Sequence, residues 1–284
     1  MSIINILFLG DIVGRPGRKA VFNFLEKINN NFNEIKNQGL MEIKPDFVVA
    51  NVENASHGFG LTRKNHNELS ENGIDLLTSG NHIWDKKEVF EYIDESEKLI
   101  RPLNYPETVP GKGYKIIEKN GIKLAVINLL GKVFMPDINN PWDALEKIVP
   151  TIKEQADIIL VDFHAEATAE KIAFGYFADS LGINACLGTH THVQTADEKI
   201  LENGCAYITD AGFCGASNGV IGMEFENSYR RFRTYLPDRF DVADLDDAEV
   251  NGVVISIDAQ THSAVSIKRI KYLVNLKEKE KMEG

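Results

Sequence analysis

The sequence predicts an α/β protein with mixed β-sheets, and three observations carry that prediction. Short apolar runs alternate with stretches of helical periodicity through the first half of the chain. Later, hairpin-type strand pairs replace that alternation. Residues able to bind metal follow one apolar run after another, and in open α/β sheets ligands gather beyond the carboxyl ends of the strands.

Residues 3–9 (Ile-Ile-Asn-Ile-Leu-Phe-Leu) read as a buried strand, followed by Gly10-Asp11 and a glycine-rich loop over residues 10–18. Val21, Leu25, Ile28, Phe32 and Ile35 recur at helical spacing and predict a helix over residues 19–38. Residues 47–50 form a second apolar strand running into Asn51-Val52-Glu53-Asn54. Thr62 suits the N-cap of a short helix ending near Gly73. Residues 74–78 form a third strand leading into Ser79-Gly80-Asn81-His82-Ile83-Trp84-Asp85, where Asp85 is placed to cap a helix carrying Val89, Phe90 and Ile93. Asn120-Gly121, between strands at 114–117 and 123–130, signals a tight hairpin, because both turn positions need positive φ. A loop over 131–141, holding Phe134 and Met135, leads to a helix over 142–155. The strand at 158–161 ends in Asp162-Phe163-His164-Ala165-Glu166, and a helix follows to residue 181. The apolar run 184–187 enters Gly188-Thr189-His190-Thr191-His192. A strand at 206–208 and an antiparallel pair at 253–257 and 264–270 complete the pattern. No repeat, low-complexity tract or linker interrupts it, so residues 1–276 are expected to form one domain and 277–284 a fraying charged tail.

Composition narrows the function. A net charge of −11, from 42 acidic and 31 basic residues in 284, opposes long non-specific contact with nucleic acid and a stable nucleic-acid complex. A small anionic substrate held by metal ions remains compatible, because the ions supply positive charge locally. Cys186, Cys205 and Cys214 form no CxxC pair and read as buried small residues of a reducing cytosol. The first apolar run is short, lacks a basic leader and ends on Gly-Asp, so it is read as a strand and not as a signal peptide. No stretch has the ~20 apolar residues of a membrane helix. A cytoplasmic protein without membrane contact is expected, and a homo-oligomer is compatible with the sequence.

The polar residues at predicted strand ends are Asp11, Glu53 with Asn54, Asn81, His164, and His190 with His192. Each has a bland explanation as a turn residue, a cap or a satisfied core histidine. Imidazole is the commonest side-chain metal ligand, and a metal site explains all of these residues together. Two carboxylates, two amides and three imidazoles exceed the needs of one ion and suit a pair sharing one carboxylate. Mixed N/O donors without thiolate admit Fe, Mn, Zn or Ni.

These stretches, in this order, resemble the motifs of the calcineurin-like metallophosphoesterases. The nearer resemblance is to their bacterial YmdB-like branch, phosphodiesterases acting on 2′,3′-cyclic nucleotides. Gly10-Asp11-Ile12-Val13-Gly14, Asn51 to Ala55, Gly80 to Asp85, Phe163 to Thr168, Gly188 to Asp197 and Tyr207 to Asp210 carry it, across most of the chain. The resemblance implies two stacked mixed sheets flanked by helices. It also implies one metal held by Asp11, Asn54 and His192, a second held by Asn81, His164 and His190, and Glu53 bridging. His82 would be the proton donor. Val13 stands where the wider superfamily has histidine, and Glu53 where it bridges with aspartate; the YmdB-like branch shares both departures.

Two metal ions at such a site would bind a phosphodiester through its non-bridging oxygens and lower the pKa of a shared water, so that a metal-bridging hydroxide is the expected nucleophile. An acid beside the leaving alkoxide would contribute ~10²–10⁴-fold. Arg15 and Arg18 are candidate phosphate anchors, Phe134 and Phe213 candidate base contacts, and His57 a candidate partner of a ligand; His66 and His262 read as surface residues. The competing readings are a non-enzymatic nucleotide- or partner-binding regulator on the same scaffold, and a metallohydrolase of another class.

Overall fold

A computed structural model describes residues 3–244 and 246–277. The tail expectation falls on 277–284, nearly all of it outside the described residues. One sheet contains β1 (Ile3–Leu9), β2 (Asp11–Ile12), β3 (Phe47–Asn51), β4 (Leu76–Thr78), β11 (Phe213–Ala216), β12 (Asp247–Asp258) and β13 (Ala264–Asn275). Its order is β2-β11-β12-β1-β3-β4, with β13 also paired to β12. The other contains β5 (Tyr114–Lys119), β6 (Ile122–Leu130), β7 (Ile158–His164), β8 (Ala185–Thr189), β9 (Lys199–Ile200) and β10 (Ala206–Ile208), in the order β5-β6-β7-β8-β10-β9. Both sheets mix parallel and antiparallel pairs.

The period-2 alternation of strand side chains sets the layers. Ile4, Ile6 and Phe8 of β1 face inward, where they meet Leu124, Val126, Leu160 and Leu187 of the second sheet. Leu7 and Leu9 face outward onto Val21, Phe24 and Ile28 of α1 (Gly14–Asn30). On the far side, Ile127, Val161 and Phe163 pack against Leu145 of α4 (Pro141–Lys153) and Phe174 of α5 (Thr168–Ser180). Two stacked mixed sheets with helices outside are what the sequence led us to expect.

Local expectations hold where turn chemistry is strong. Thr62 caps α3 (Arg63–Glu71) by accepting from the Asn65 amide at 3.3 Å. Asn120 (φ 51°) and Gly121 (φ 78°) make the tight turn between β5 and β6.

Several expectations are corrected. Residues 14–18 belong to α1 and not to a loop, because Pro16 costs nothing in a first turn and Gly17 lies directly against the Cys214 carbonyl. The helix foreseen over 19–38 breaks at Asn31 (φ −141°), which separates α1 from α2 (Phe32–Asn37). Asp85 caps nothing: residues 87–91 form a 3₁₀ turn, and the Asp85 carboxylate is bonded to His82 instead. β11 and α6 (Phe225–Thr234) lie outside the elements the sequence predicts. His66 and His262 are half-buried, not surface residues. All three cysteines are buried and free.

Candidate metal centre

The site lies where strands of both sheets end together. β3 stops two residues before Glu53, β4 shortly before Gly80-Asn81, β7 on His164, and β8 one residue before His190. Asp11 opens β2 directly after the turn that ends β1.

Three acceptor-type atoms crowd His164 Nε2: Glu53 Oε1 at 3.0 Å, Asn81 Oδ1 at 3.1 Å and His190 Nδ1 at 3.0 Å. Ligand atoms of Glu53, His164 and His190 all lie within 4.8 Å of one another. One imidazole proton cannot satisfy that many lone pairs, whereas a cation can. Gly80 makes the approach feasible, since a Cβ there would lie 2.3 Å from Glu53 Oε2 and 2.4 Å from the His164 ring.

A second deficit lies alongside. Asp11 Oδ1 and Asn54 Oδ1 are buried without a hydrogen-bond partner, a cost of ~1–3 kcal/mol each unless something positive meets them. The other oxygen of Asp11 accepts from the His190 amide at 3.1 Å, and Asn54 Nδ2 donates to the Gly58 carbonyl at 2.9 Å. His192 gives Nδ1 to the Ile221 carbonyl at 3.0 Å, which leaves Nε2 as its remaining ligand atom. Both deficits consist of oxygen and imidazole donors, so the residues present fit divalent cations.

The electrostatics agree. Burial raises Asp11, and His192 leads the charged neighbours that oppose the rise. Burial also pushes Glu53 upward, but the adjacent His164 outweighs it and holds the carboxyl at about 2. His164 is raised to about 9 against its own burial by Glu53 and Asp11, so a proton partly answers the demand for positive charge here. Burial and the charge on His164 lower His190 to about 3, which keeps it a neutral donor.

Several supporting groups went unassigned in the sequence. Thr189 Oγ1 donates to Asp162 Oδ1 at 2.6 Å, so its 2.9 Å contact with His164 Nδ1 must be a bond from the imidazole. That pattern places the proton on Nδ1 in the neutral ring and turns the Nε2 lone pair into the site. Thr78 and Asn51 also bond Asp162, at 2.5 and 3.0 Å. Glu166 takes His190 Nε2 at 3.0 Å. His190 (φ 104°) and His192 (φ 62°) sit in strained backbone. Asp210 braces the turn between them through Thr191, and Lys171 Nζ braces Asp210 and the Thr189 carbonyl, both at 2.7 Å.

Lys171 is fully buried. Lys171→Met should therefore lower unfolding stability by ~3–5 kcal/mol, since it leaves Asp210 buried without its cation. Denaturant titration measures this, and a loss below ~1 kcal/mol would contradict the bracing role.

The remaining candidates separate. His82 stands at the site mouth, its amide bonded to Glu53 Oε2 at 2.9 Å and its Nδ1 held by Asp85 at 2.8 Å. Phe213 stacks on His192, with ring centroids 5.7 Å apart. Arg18 is committed to Glu68 and the Ala55 carbonyl, and Arg15 lines a separate groove with Asp244 and Asp246. His57 is exposed and not a partner of a ligand, and Phe134 is 88% exposed, away from the cavity lining.

Stacked mixed sheets with imidazole, amide and carboxylate donors at their common edge define a metallophosphoesterase-like fold. Consistent with this, the fold resembles a Haemophilus influenzae NAD nucleotidase at TM-score 0.55 and 13% identity, over 96% of this chain and 56% of that one. More particularly, the chain belongs to the YmdB-like family: the family described as "YmdB-like protein" matches residues 7–270. It is 46% identical over 267 residues to the 2′,3′-cyclic-nucleotide 2′-phosphodiesterase of Bacillus subtilis strain 168, covering 94% of this chain and 96% of that protein. A solved phosphatase from Mycoplasma pneumoniae is 34% identical at TM-score 0.84, covering 99% of this chain and 97% of that one.

Proposed function

We propose that the chain is a cytoplasmic phosphoester hydrolase that opens 2′,3′-cyclic nucleotides to 3′-monophosphates at a two-metal centre. The observation that supports this most is the pairing of two donor deficits: the atoms crowded on His164 Nε2, and the orphaned oxygens of Asp11 and Asn54. In this reading Asp11, Asn54 and His192 hold one ion, Asn81, His164 and His190 the other, and Glu53 serves both. Iron, manganese or zinc suits such donors. When bound, the ions supply Lewis acidity for the phosphoryl oxygens and a water deprotonated near neutral pH.

The chain's own groups do the rest. A cavity of about 340 Å³ is lined by Glu53, His82, His190 and His192 together with Val220, Met223, Phe232 and Phe240. Metal-capable groups and apolar or aromatic walls in one cavity suit the phosphate and the base of a nucleotide. Asp85 holds Nδ1–H of His82, so in the imidazolium form the proton on Nε2 is the transferable one. The water oxygen bonds to phosphorus, the bond to O2′ breaks, and Nε2 protonates O2′. His82 recovers a proton from solvent, and the 3′-monophosphate leaves.

Adenosine 2′,3′-cyclic monophosphate should therefore be hydrolysed faster than its 3′,5′ isomer, with the 3′-monophosphate as product. Chromatography against authentic 2′- and 3′-monophosphates checks both parts. Faster turnover of the 3′,5′ isomer, or a 2′-monophosphate product, would refute the assignment.

A further inference from the structure

The outer face of α6 remains without a role. Phe225, Tyr229 and Phe232 follow i, i+4, i+7 spacing on one side of the helix, 56%, 44% and 71% exposed. Phe225 and Tyr229 already stack, at 5.6 Å and 15°. Phe232 and Ser228 also line the cavity that holds His82 and His190, so the aromatic strip continues out of the catalytic site. Residues 225–240 hold four arginines, Arg230, Arg231, Arg233 and Arg239, against only Glu226 and Asp238, in a chain whose net charge is −11; Arg231 packs on the Phe240 ring, and Arg233 is the one placed against the strip. Arg233 sits over the Tyr229 ring at 5.7 Å, and Arg230 is 62% exposed beside Asp238.

Aromatic faces interleaved with arginines suit stacked bases joined by phosphates. A second copy of the chain fits less well, since a two-fold contact through this strip would set its arginines against each other. Building on the cyclic-phosphodiesterase reading, we propose that the substrate class extends to single-stranded RNA whose 3′ end is a 2′,3′-cyclic phosphate. The terminal nucleotide occupies the cavity, and the preceding bases stack on Tyr229 and Phe225. The bond chemistry is unchanged: water adds to phosphorus, O2′ leaves protonated, and the strand ends in a 3′-phosphate. The strip spans a few nucleotides only, so it is compatible with an acidic protein that binds long nucleic acid poorly.

The test compares kcat/KM for uridine 2′,3′-cyclic monophosphate with that for tri- and pentauridylates ending in the same cyclic phosphate. Stacking one base on an aromatic side chain corresponds to roughly 5- to 150-fold in binding, so the oligonucleotides should gain at least ~5-fold, mainly through KM. The ratio of oligonucleotide to mononucleotide kcat/KM should fall towards one in Phe225→Ala/Tyr229→Ala. Arg233→Gln should lower the same ratio and flatten its salt dependence. Equal kcat/KM at all lengths in the wild type would overturn the proposal while leaving the mononucleotide reading standing. So would α6 variants that keep the ratio but change the oligomeric mass, which would assign the strip to a second copy. Failure to hydrolyse any cyclic phosphate would overturn both readings.

Discussion

Asp11→Ala and His192→Ala are each expected to lose bound metal and phosphodiesterase activity together. Asp11 is wholly buried with one oxygen orphaned, and His192 has one ring nitrogen committed to the Ile221 carbonyl. Asp11 thus offers an oxygen that no hydrogen bond engages, and His192 a second ring nitrogen beyond the one bonded to Ile221. Metal Lewis acidity is worth several kcal/mol in phosphoryl transfer, so losing an ion should cost three or more orders of magnitude in kcat/KM. The fold should survive, because neither side chain belongs to the three large apolar clusters. Elemental analysis beside kinetics checks the pairing of the two losses. A variant that keeps two ions per chain and full activity would refute the ligand assignment, as would full activity in thoroughly chelated wild type.

His82→Ala should behave differently: metal content unchanged, kcat reduced by ~10²–10⁴-fold. The contact from residue 82 to Glu53 runs through the backbone amide, which alanine retains. What disappears is a cavity-lining imidazole whose Nδ1 is fixed by Asp85 and whose ring is braced edge-on by Phe59 at 4.9 Å, with Nε2 as its remaining ring nitrogen. A proton donor matters in proportion to the basicity of the oxygen that departs. The deficit should therefore shrink on a nitrophenyl ester, whose leaving oxygen needs little protonation. Loss of metal from His82→Ala would move this residue into the ligand set. Equal deficits on good and poor leaving groups would show that it stabilises phosphoryl charge and does not act as the acid.

Much of this was legible in the chain because it is local information. The apolar run at residues 3–9 identified β1 as a buried strand, Asn120-Gly121 determined the hairpin, and Thr62 determined the start of α3. Metal-capable residues after apolar runs identified the stretches that meet at the sheet edge, because a strand's carboxyl end delivers whatever follows it to that edge. Non-local contacts decided the rest. Gly17 sits in a helix because its missing side chain lets α1 lie against the Cys214 carbonyl, and β11 exists because β12 and β2 pair with it. Asp162 looks like one polar residue in a strand until Thr78 and Asn51 of one sheet and Thr189 of the other close around it. Lys171 reads as a solvent-facing helix lysine, yet it is buried as the brace of the histidine turn. Periodicity and turn residues act over a few positions and specify elements. The ligand atoms meet through pairings such as Asp11 with His190, 179 residues apart, whose geometry only the packed sheets determine.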